Sequence, residues 1–227
     1  MNVLEKIKGG LIVSCQALEN EPLHSSFIMS RMAKAAMLGG AAGIRANSVK
    51  DISEIKKTVS LPVIGIIKTE YKDSPVYITP TMIEVDVLVE CGCEIIAMDA
   101  TGRTRPYGES LETFFVNVRK KYPDQLFMAD CAVYQEGMNA ASLGFDLIGT
   151  TLCGYTEESR NHAAPDYDLI SALVINCGKP VIAEGNIWTA EQLQLVKKCG
   201  IHSAVVGSAI TRPMLITQRF VNAMKGD

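Results

Sequence analysis

Lys68 and Glu184 each follow a short, uninterrupted run of apolar residues. Lys68 comes after VIGII and Glu184 after VIA, so each charge stands where a buried segment ends. A charge in such a place is costly unless another group pairs with it or a reaction uses it. An amine and a carboxyl group that face each other can remove a proton from a carbon atom and return one to its opposite side. The two residues therefore indicate acid–base chemistry, provided that burial or a nearby cation lowers the pKa of the lysine and desolvation raises that of the glutamate.

The elements that must position this pair follow a repeating pattern. Eight short runs rich in Val, Ile and Leu alternate with segments whose apolar residues lie three and four positions apart. The short runs predict strands buried on both faces, and the longer segments predict amphipathic helices. The strand runs are 10–17, 43–47, 62–68, 94–100, 127–132, 146–152, 180–186 and 203–210. A last helix is expected around 213–225, and strands that alternate with helices predict a parallel sheet.

Eight such units in 227 residues suit a compact (β/α)8 TIM barrel, which we expect to form a single domain over residues 1–227. A doubly wound open sheet is the alternative. Its usual glycine-rich turn after the first strand is missing, because that strand leads into CQALENEP. No proline-rich linker or change in composition suggests a second domain.

In a barrel the active site lies at the carboxyl ends of the strands. Lys68 ends the third strand and Glu184 the seventh, so they face each other across a ring of eight. Arg45, on the second strand, could supply a positive field that lowers the pKa of Lys68. The other polar residues near strand ends are Gln16, Asn47, Asp99, Asp130, Thr150, Thr151, Asn186 and Ser208. For Asn47 or Thr150 taken alone, a loop-capping role is an equally good interpretation.

The last two predicted strands end in segments that could bind a phosphate group. The residues concerned are Gly185, Asn186, Gly207, Ser208 and Arg212. Loops after strands seven and eight commonly bind phosphate in this fold. Gly207 allows close approach of the backbone, Ser208 offers a hydroxyl, and Arg212 can donate paired hydrogen bonds to phosphate oxygens. An ordinary loop is the alternative, but a glycine, a short helical turn and an arginine coincide here, which favours the phosphate site.

Composition narrows the function further. The net charge is −3 and no basic block occurs, so nucleic acid is not an expected partner. No apolar run is long enough to span a bilayer and the first residues do not resemble a secretory signal, so we expect a cytoplasmic protein. The seven cysteines include no CxxC pair, and neither a metal nor another cofactor is expected. Cys15, Cys131 and Cys153 are interpreted as reduced core residues.

The ordered motifs GLIVSCQAL, EPLHSS, GIRAN, LPVIGIIK, MDAT, MADCA, GFDLIGTTLCGYT, VIAEGN and VVGSAITRP resemble one family over residues 10–220. This is the family of N-acylmannosamine-6-phosphate 2-epimerases of bacterial sialic-acid catabolism. The resemblance implies a TIM barrel that interconverts N-acetylmannosamine 6-phosphate and N-acetylglucosamine 6-phosphate without metal or nucleotide. It also implies acid–base roles for Lys68 and Glu184, and a homodimer is expected through the last helix.

The resemblance assigns further residues to the substrate. It implies substrate contacts at Gln16, Arg45 and Asp130, and phosphate contacts at Gly185, Gly207, Ser208 and Arg212. No roles are carried onto the loops at 70–80 and 154–166. Two other functions stay open: a lyase in which Lys68 forms a Schiff base with a sugar-phosphate carbonyl, and a phosphosugar-binding barrel without activity.

Overall fold

The computed structural model describes residues 2–162 and 165–226, and its sheet is a closed barrel of eight parallel strands in sequence order. The strands are β1 Leu11–Cys15, β2 Gly43–Asn47, β3 Val63–Ile66, β4 Ile95–Asp99, β5 Leu126–Asp130, β6 Leu147–Gly149, β7 Val181–Glu184 and β8 Ser203–Val206. The ring closes where β1 pairs with β8, with Leu11 opposite Ala204. The predicted TIM barrel is therefore confirmed, and the open-sheet alternative is wrong.

Helices lie before the first strand, between successive strands and after the last strand. They are α1 Val3–Ile7, α2 Ser26–Leu38, α3 Val49–Thr58, α4 Met82–Glu90, α5 Leu111–Lys121, α6 Tyr134–Leu143, α7 Tyr167–Asn176, α8 Ala190–Lys198, α9 Ser208–Thr211 and α10 Pro213–Lys225. Several begin at a side chain that accepts a free N–H group of the first turn, as Ser48, Thr81, Ser110, Asp166 and Thr189 do. The apolar pattern predicted every helix except the short α1 and α9, and residues 208–210 of α9 lie within the run 203–210 that was predicted as a strand.

Side chains alternate between the inside of the barrel and the layer under the helices, as the two-residue period of a strand requires. Ile64, Met128 and Ile182 lie in the cluster that fills the barrel interior. Val181 and Ile148 belong instead to the cluster between strands and helices. Beyond this interior cluster, toward the carboxyl ends of the strands, the inward-facing residues are polar. The alternation along the strands therefore places polar side chains at the site.

A buried arginine fastens the loop between β3 and α4 to the barrel. Arg105 is 1% exposed and donates hydrogen bonds to the carbonyl oxygens of Thr79, Pro80 and Asp99. Its guanidinium lies 4.0 Å from the centroid of the Phe114 ring. An arginine with satisfied donors and an aromatic face can be buried at low cost. The loop it holds is one wall of the pocket described below.

The final helix, α10, differs from the others because none of its residues is buried. Its apolar side chains include Phe220, which is 72% exposed, and Met224, which is 89% exposed. Among the helices of the described residues, none is both long and apolar enough to cross a membrane.

All seven cysteines are free thiols.

Candidate active site

A cavity of about 200 Å³ opens at the carboxyl ends of the strands. Nine of the ten residues predicted for the site line it: Gln16, Arg45, Lys68, Glu184, Gly185, Asn186, Gly207, Ser208 and Arg212. The tenth, Asp130, has no exposed surface and lies beneath the cavity, where it contacts Arg45. The structure therefore brings the predicted residues together, from six of the eight strand ends or the loops that follow them.

Arg45 joins the two carboxyl groups of the site. Its Nη1 and Nη2 donate to Asp130 Oδ1 at 3.1 Å and Oδ2 at 2.6 Å, and Nη1 also lies 3.1 Å from Glu184 Oε2. Burial opposes the charge of Arg45, but Asp130 and Glu184 together raise its pKa above the usual value. One permanent positive charge thus faces two carboxyl groups, and it cannot fully neutralise both.

Two adjacent threonines fix Glu184 from the neighbouring strand. Thr150 Oγ1 accepts the backbone N–H of Glu184 at 3.1 Å and donates to the carbonyl oxygen of Glu184 at 2.9 Å. Thr151 Oγ1 lies 3.1 Å from Glu184 Oε2 and 2.6 Å from Asp130 Oδ1. Thr150 therefore holds the backbone of Glu184, and Thr151 contacts its side chain.

Lys68 lies two residues beyond β3, in the loop that Arg105 fastens. Its backbone N–H donates to Asn47 Oδ1 at 2.9 Å, and a bridge pairs Lys68 with Ile78. The side chain is exposed at the cavity mouth, yet protein atoms surround it closely enough to desolvate the amine. Asn47 therefore has a positioning role, in which it holds the start of the loop that carries Lys68.

The local environment moves the pKa values of the two groups toward each other. Desolvation and the charge of Arg45 lower the pKa of Lys68. Desolvation raises the pKa of Glu184; Arg45 opposes this shift and Asp130 adds to it. Both directions are those that a lysine base and a glutamic acid need near neutral pH. Since β3 and β7 are four strands apart in the ring, the two groups reach the cavity from opposite sides.

The residues at the other end of the cavity have unusual backbone geometry. Gly185 and Asn186 adopt φ angles of 113° and 52°, and the left-handed conformation of Asn186 is uncommon for a residue with a side chain. A Cβ atom on Gly207 would lie 3.2 Å from Ser14 Cβ, a tight contact, so glycine lets the backbone approach β1 closely here. Both turns bring backbone close to the cavity, as a phosphate-binding loop requires.

Arg212, the predicted phosphate ligand, pairs with a carboxylate that the sequence did not single out. Its Nε donates to Glu21 Oε1 at 2.8 Å, and its Nη2 contacts the same oxygen. Glu21 also accepts the backbone N–H of Leu18 at 2.8 Å, so it is fixed within its own loop. The loop after β1 thus reaches the loop after β8 through one ion pair.

Several other residues of the cavity wall carried no clear signal in the sequence. Tyr77, Tyr155, Trp188 and Glu21 line the cavity from loops whose conformation no strand or helix period predicts. Thr151 was identified in the sequence as a strand-end residue. It lies two positions after Gly149, so its side chain faces the same, inward side of the barrel. Asp99, also at a strand end, has no exposed surface and forms an ion pair with Arg103 instead of lining the cavity.

One cysteine lies near a histidine, although no sequence motif joins them. The ligand atoms of Cys153, His162 and Asp166 lie within 4.8 Å of one another, and His162 Nδ1 is 2.6 Å from Asp166 Oδ2. Burial and Asp166 raise the pKa of Cys153 to about 11, which keeps it a thiol at neutral pH. Metals and electrophiles react with the thiolate form, so core packing is the better interpretation of Cys153.

Residues 29–226 match the family model described as "Putative N-acetylmannosamine-6-phosphate epimerase". Relatives named "Putative N-acetylmannosamine-6-phosphate 2-epimerase" come from Clostridioides difficile and Caldanaerobacter subterraneus. The first is 55% identical over 98% of this chain and 99% of its own. The second is 53% identical over 99% of this chain and 95% of its own.

Solved structures agree with this match. The N-acetylmannosamine-6-phosphate 2-epimerase from Clostridium perfringens superposes with a TM-score of 0.94 at 52% identity, covering 98% of this chain and 96% of that one. A thiamine phosphate pyrophosphorylase from Pyrococcus furiosus superposes with a TM-score of 0.63 at 18% identity. The second likeness shows a shared fold and nothing more.

Proposed function

The chain belongs to the N-acetylmannosamine-6-phosphate epimerase family, and from this premise we propose that it converts N-acetylmannosamine 6-phosphate to N-acetylglucosamine 6-phosphate by proton exchange at C2. The observation that supports the proposal is that Lys68 and Glu184 line one cavity, Lys68 from the loop after β3 and Glu184 from the end of β7, the strand opposite β3 in the ring. Burial lowers the pKa of Lys68 and raises that of Glu184; Arg45 adds to the first shift and Asp130 to the second. The reaction is an isomerisation of the kind that the relatives' names describe.

The chemistry begins with the open-chain sugar, because the C2 proton is acidic only when C2 lies next to the C1 aldehyde. One member of the Lys68–Glu184 pair removes that proton, and the electron pair moves onto the C1 oxygen to give an enediol-type intermediate. The other member then donates a proton to the opposite side of C2, and the aldehyde forms again. Arg45 lies beside this pair, where its fixed positive charge stabilises negative charge that develops on oxygen.

Gln16 supports the binding of a hydroxylated substrate. Its Nε2 donates to Ser14 Oγ at 2.8 Å, while its Oε1 is buried and has no partner among the described residues. A buried acceptor without a donor costs free energy, which a bound hydroxyl or amide N–H group would recover. Gln16 also lines the cavity, so a sugar hydroxyl or the N-acetyl N–H is the partner that we propose.

The phosphate is proposed to bind at the opposite end, where Gly185, Gly207, Ser208 and Arg212 meet. Helix α9 has only four residues, so its dipole contributes little and the argument depends on the loop backbones and Arg212. Glu21 occupies Nε and Nη2 of Arg212. A phosphate therefore uses Nη1 or replaces Glu21 at the guanidinium. Binding energy from this remote group would hold C2 between the catalytic pair.

The direct test of the acid–base role is the variant Lys68→Met, with Lys50→Met on the outer helix α3 as a matched control. We expect Lys68→Met to bind the substrate but to convert it at least about a hundredfold more slowly, since a positioned acid or base contributes about 10²–10⁴-fold. Conversion is followed by NMR with each epimer as the starting material. A normal rate in Lys68→Met would remove Lys68 from the mechanism.

Borohydride reduction separates this mechanism from a lyase. If Lys68 formed a Schiff base, reduction in the presence of substrate would attach the sugar covalently to Lys68, and mass spectrometry would locate the adduct. The acid–base mechanism predicts an unmodified Lys68. A phosphosugar-binding barrel without activity would instead show binding and no conversion in the unaltered protein.

We also propose that the chain forms a homodimer and works in the cytoplasm. The dimer proposal is supported by α10, whose 13 residues include no buried side chain and which exposes Phe220 and Met224. A second copy of the chain is the partner that would cover this face. Sedimentation should give the mass of two chains, and a variant with Phe220→Ser and Met224→Ser should sediment with the mass of one chain.

The cytoplasmic location is supported by the seven free thiols, which a reducing compartment preserves.

A further inference from the structure

Thr151 lies between the two carboxyl groups of the site. It is the second residue after β6, and its hydroxyl oxygen is 2.6 Å from Asp130 Oδ1 and 3.1 Å from Glu184 Oε2. Both oxygens are acceptors when the carboxyl groups are ionised, but a threonine hydroxyl has a single hydrogen to donate. Both contacts can therefore be hydrogen bonds only if one of the carboxyl groups supplies a hydrogen of its own.

The surroundings identify which carboxyl group that is. Asp130 receives two hydrogen bonds from Arg45, and this bidentate pairing stabilises its ionised form. The contact of Thr151 with Asp130 is also the shorter of its two contacts, which indicates a charge-assisted hydrogen bond. The hydrogen of Thr151 is thus directed at Asp130, and a lone pair of Thr151 is left to face Glu184.

We propose that Thr151 positions the acid form of Glu184: its hydroxyl donates to Asp130 and accepts the carboxyl hydrogen of Glu184. When Glu184 is protonated, the hydroxyl makes two hydrogen bonds. When Glu184 is ionised, the hydroxyl can donate to Asp130 or to Glu184 but not to both, and one hydrogen bond is lost. The hydroxyl therefore favours the protonated state by the equivalent of one hydrogen bond.

Charged and titratable groups around Glu184 also affect its pKa. Arg45 from β2 and Lys68 from the loop after β3 favour its ionised form, and Asp130 from β5 disfavours it. Tyr155, from the loop after β6, also lies near enough to interact with the charge of Glu184. Replacing Thr151 leaves all four groups in place. The sign of the change in the pKa of Glu184 then reports the direction of the hydrogen bond.

The two possible directions predict opposite changes. If Glu184 donates to Thr151, removal of the hydroxyl lowers the pKa of Glu184, because the protonated form loses its acceptor. If Thr151 donates to an ionised Glu184, removal of the hydroxyl raises that pKa, because the ionised form loses its donor. Only the first direction agrees with the proposal. Its catalytic consequence rests on the proposed function, whereas the hydrogen bond itself does not.

The test is a carbon-13 NMR titration of protein labelled at the glutamate carboxyl carbon. The Glu184 resonance is assigned by its loss in Glu184→Gln. In Thr151→Val, we expect the pKa of Glu184 to fall by about half a unit to one unit, which corresponds to one hydrogen bond. Thr151→Ser should restore most of the shift, and Thr113→Val, on the exposed side of α5, should cause none. A rise or no change in Thr151→Val would overturn the proposal, and Thr151→Ala replaces it if the valine variant does not fold.

Kinetics distinguish this proposal from the proposed function. In Thr151→Val we expect the acidic limb of the pH profile of kcat/KM to move to lower pH and kcat to fall about tenfold, the size of one hydrogen bond, with recovery in Thr151→Ser. If the unaltered protein does not epimerise the sugar phosphate but the titration gives the expected shift, the proposed function fails alone. If it epimerises and the titration gives no shift, the role of Thr151 fails alone.

Discussion

The two ends of the cavity each contain an arginine paired with a carboxylate, but the pairs differ in depth and in number of partners. At the end where proton transfer is proposed, Arg45 is 1% exposed and faces two carboxyl groups. At the end where phosphate binding is proposed, the side chain of Arg212 is 28% exposed, and Glu21 is its one carboxylate partner among the residues that the structure describes. Arg45 belongs to β2, whereas Arg212 lies between the four-residue α9 and the 13-residue α10.

This difference suits Arg45 to proton transfer and Arg212 to phosphate binding. A buried, multiply bonded arginine keeps a fixed charge beside groups whose pKa values matter, and it cannot move without leaving a buried carboxylate unpaired. Arg212 is partly exposed, and Glu21 keeps the backbone N–H of Leu18 if Arg212 turns to a phosphate, so this exchange costs less. The comparison predicts that changes at the first end alter turnover and stability, while changes at the second end alter substrate affinity.

The largest effect on turnover is expected for Glu184→Gln, which keeps the shape of the side chain but removes its acid–base function. We expect kcat to fall by about 10²–10⁴-fold and KM to change little. Initial rates measured in both directions give the two constants. If KM rose while kcat stayed normal, Glu184 would bind substrate without taking part in proton transfer.

The two arginines themselves should differ most in their effect on stability. Arg45→Met leaves Asp130 and Glu184 without their cation, and removal of one partner from a buried ion pair typically costs about 3–5 kcal/mol. In the second pair Arg212 is partly exposed, whereas the Glu21 side chain is 8% exposed but keeps the backbone N–H of Leu18. We therefore expect Arg212→Met to cost less, about 1.5–3 kcal/mol. Urea unfolding of both variants gives the free energies. Equal losses would show that the two ends are not built as differently as their burial suggests.

Substrate affinity should respond at the other end. Arg212→Met is expected to raise KM about 10- to 100-fold, because a charge-assisted hydrogen bond contributes about 1.5–3 kcal/mol, while kcat changes less. The matched control is Arg31→Met on α2, far from the phosphate loops in sequence and bound over Phe27. A large loss of kcat in Arg212→Met without a change in KM would place Arg212 at the reacting carbon.

The smallest effect links the two ends through the pH dependence of kcat/KM. The active form holds one proton on the Lys68–Glu184 pair, so activity falls at low pH, where both are protonated, and at high pH, where neither is. Burial and Arg45 lower the pKa of Lys68, and Arg212 lowers it further. Arg212→Met should therefore move the alkaline limb to higher pH. A shift to lower pH would show that Lys68 does not respond to the charge of Arg212.

The sequence predicted the barrel and most of the site for a physical reason. Inward-facing residues of a parallel strand keep a period of two, so Arg45, Lys68 and Glu184 could be placed at strand ends and on opposite strands. The partners of those residues were harder to predict. Glu21 reaches Arg212 through a loop without any period, and the hydrogen bonds of Thr151 depend on how two neighbouring strands are staggered. Sequence patterns therefore predict which side chains enter the cavity better than they predict which of them pair.

Isotope exchange tests most directly the central claim that Lys68 and Glu184 exchange the C2 proton. The unaltered protein is incubated with N-acetylmannosamine 6-phosphate in deuterated water, and the product is examined by proton and carbon-13 NMR. Acid–base exchange predicts N-acetylglucosamine 6-phosphate with deuterium at C2, since side-chain amine and carboxyl protons exchange with solvent. A product that retains the original hydrogen at C2 would contradict the account.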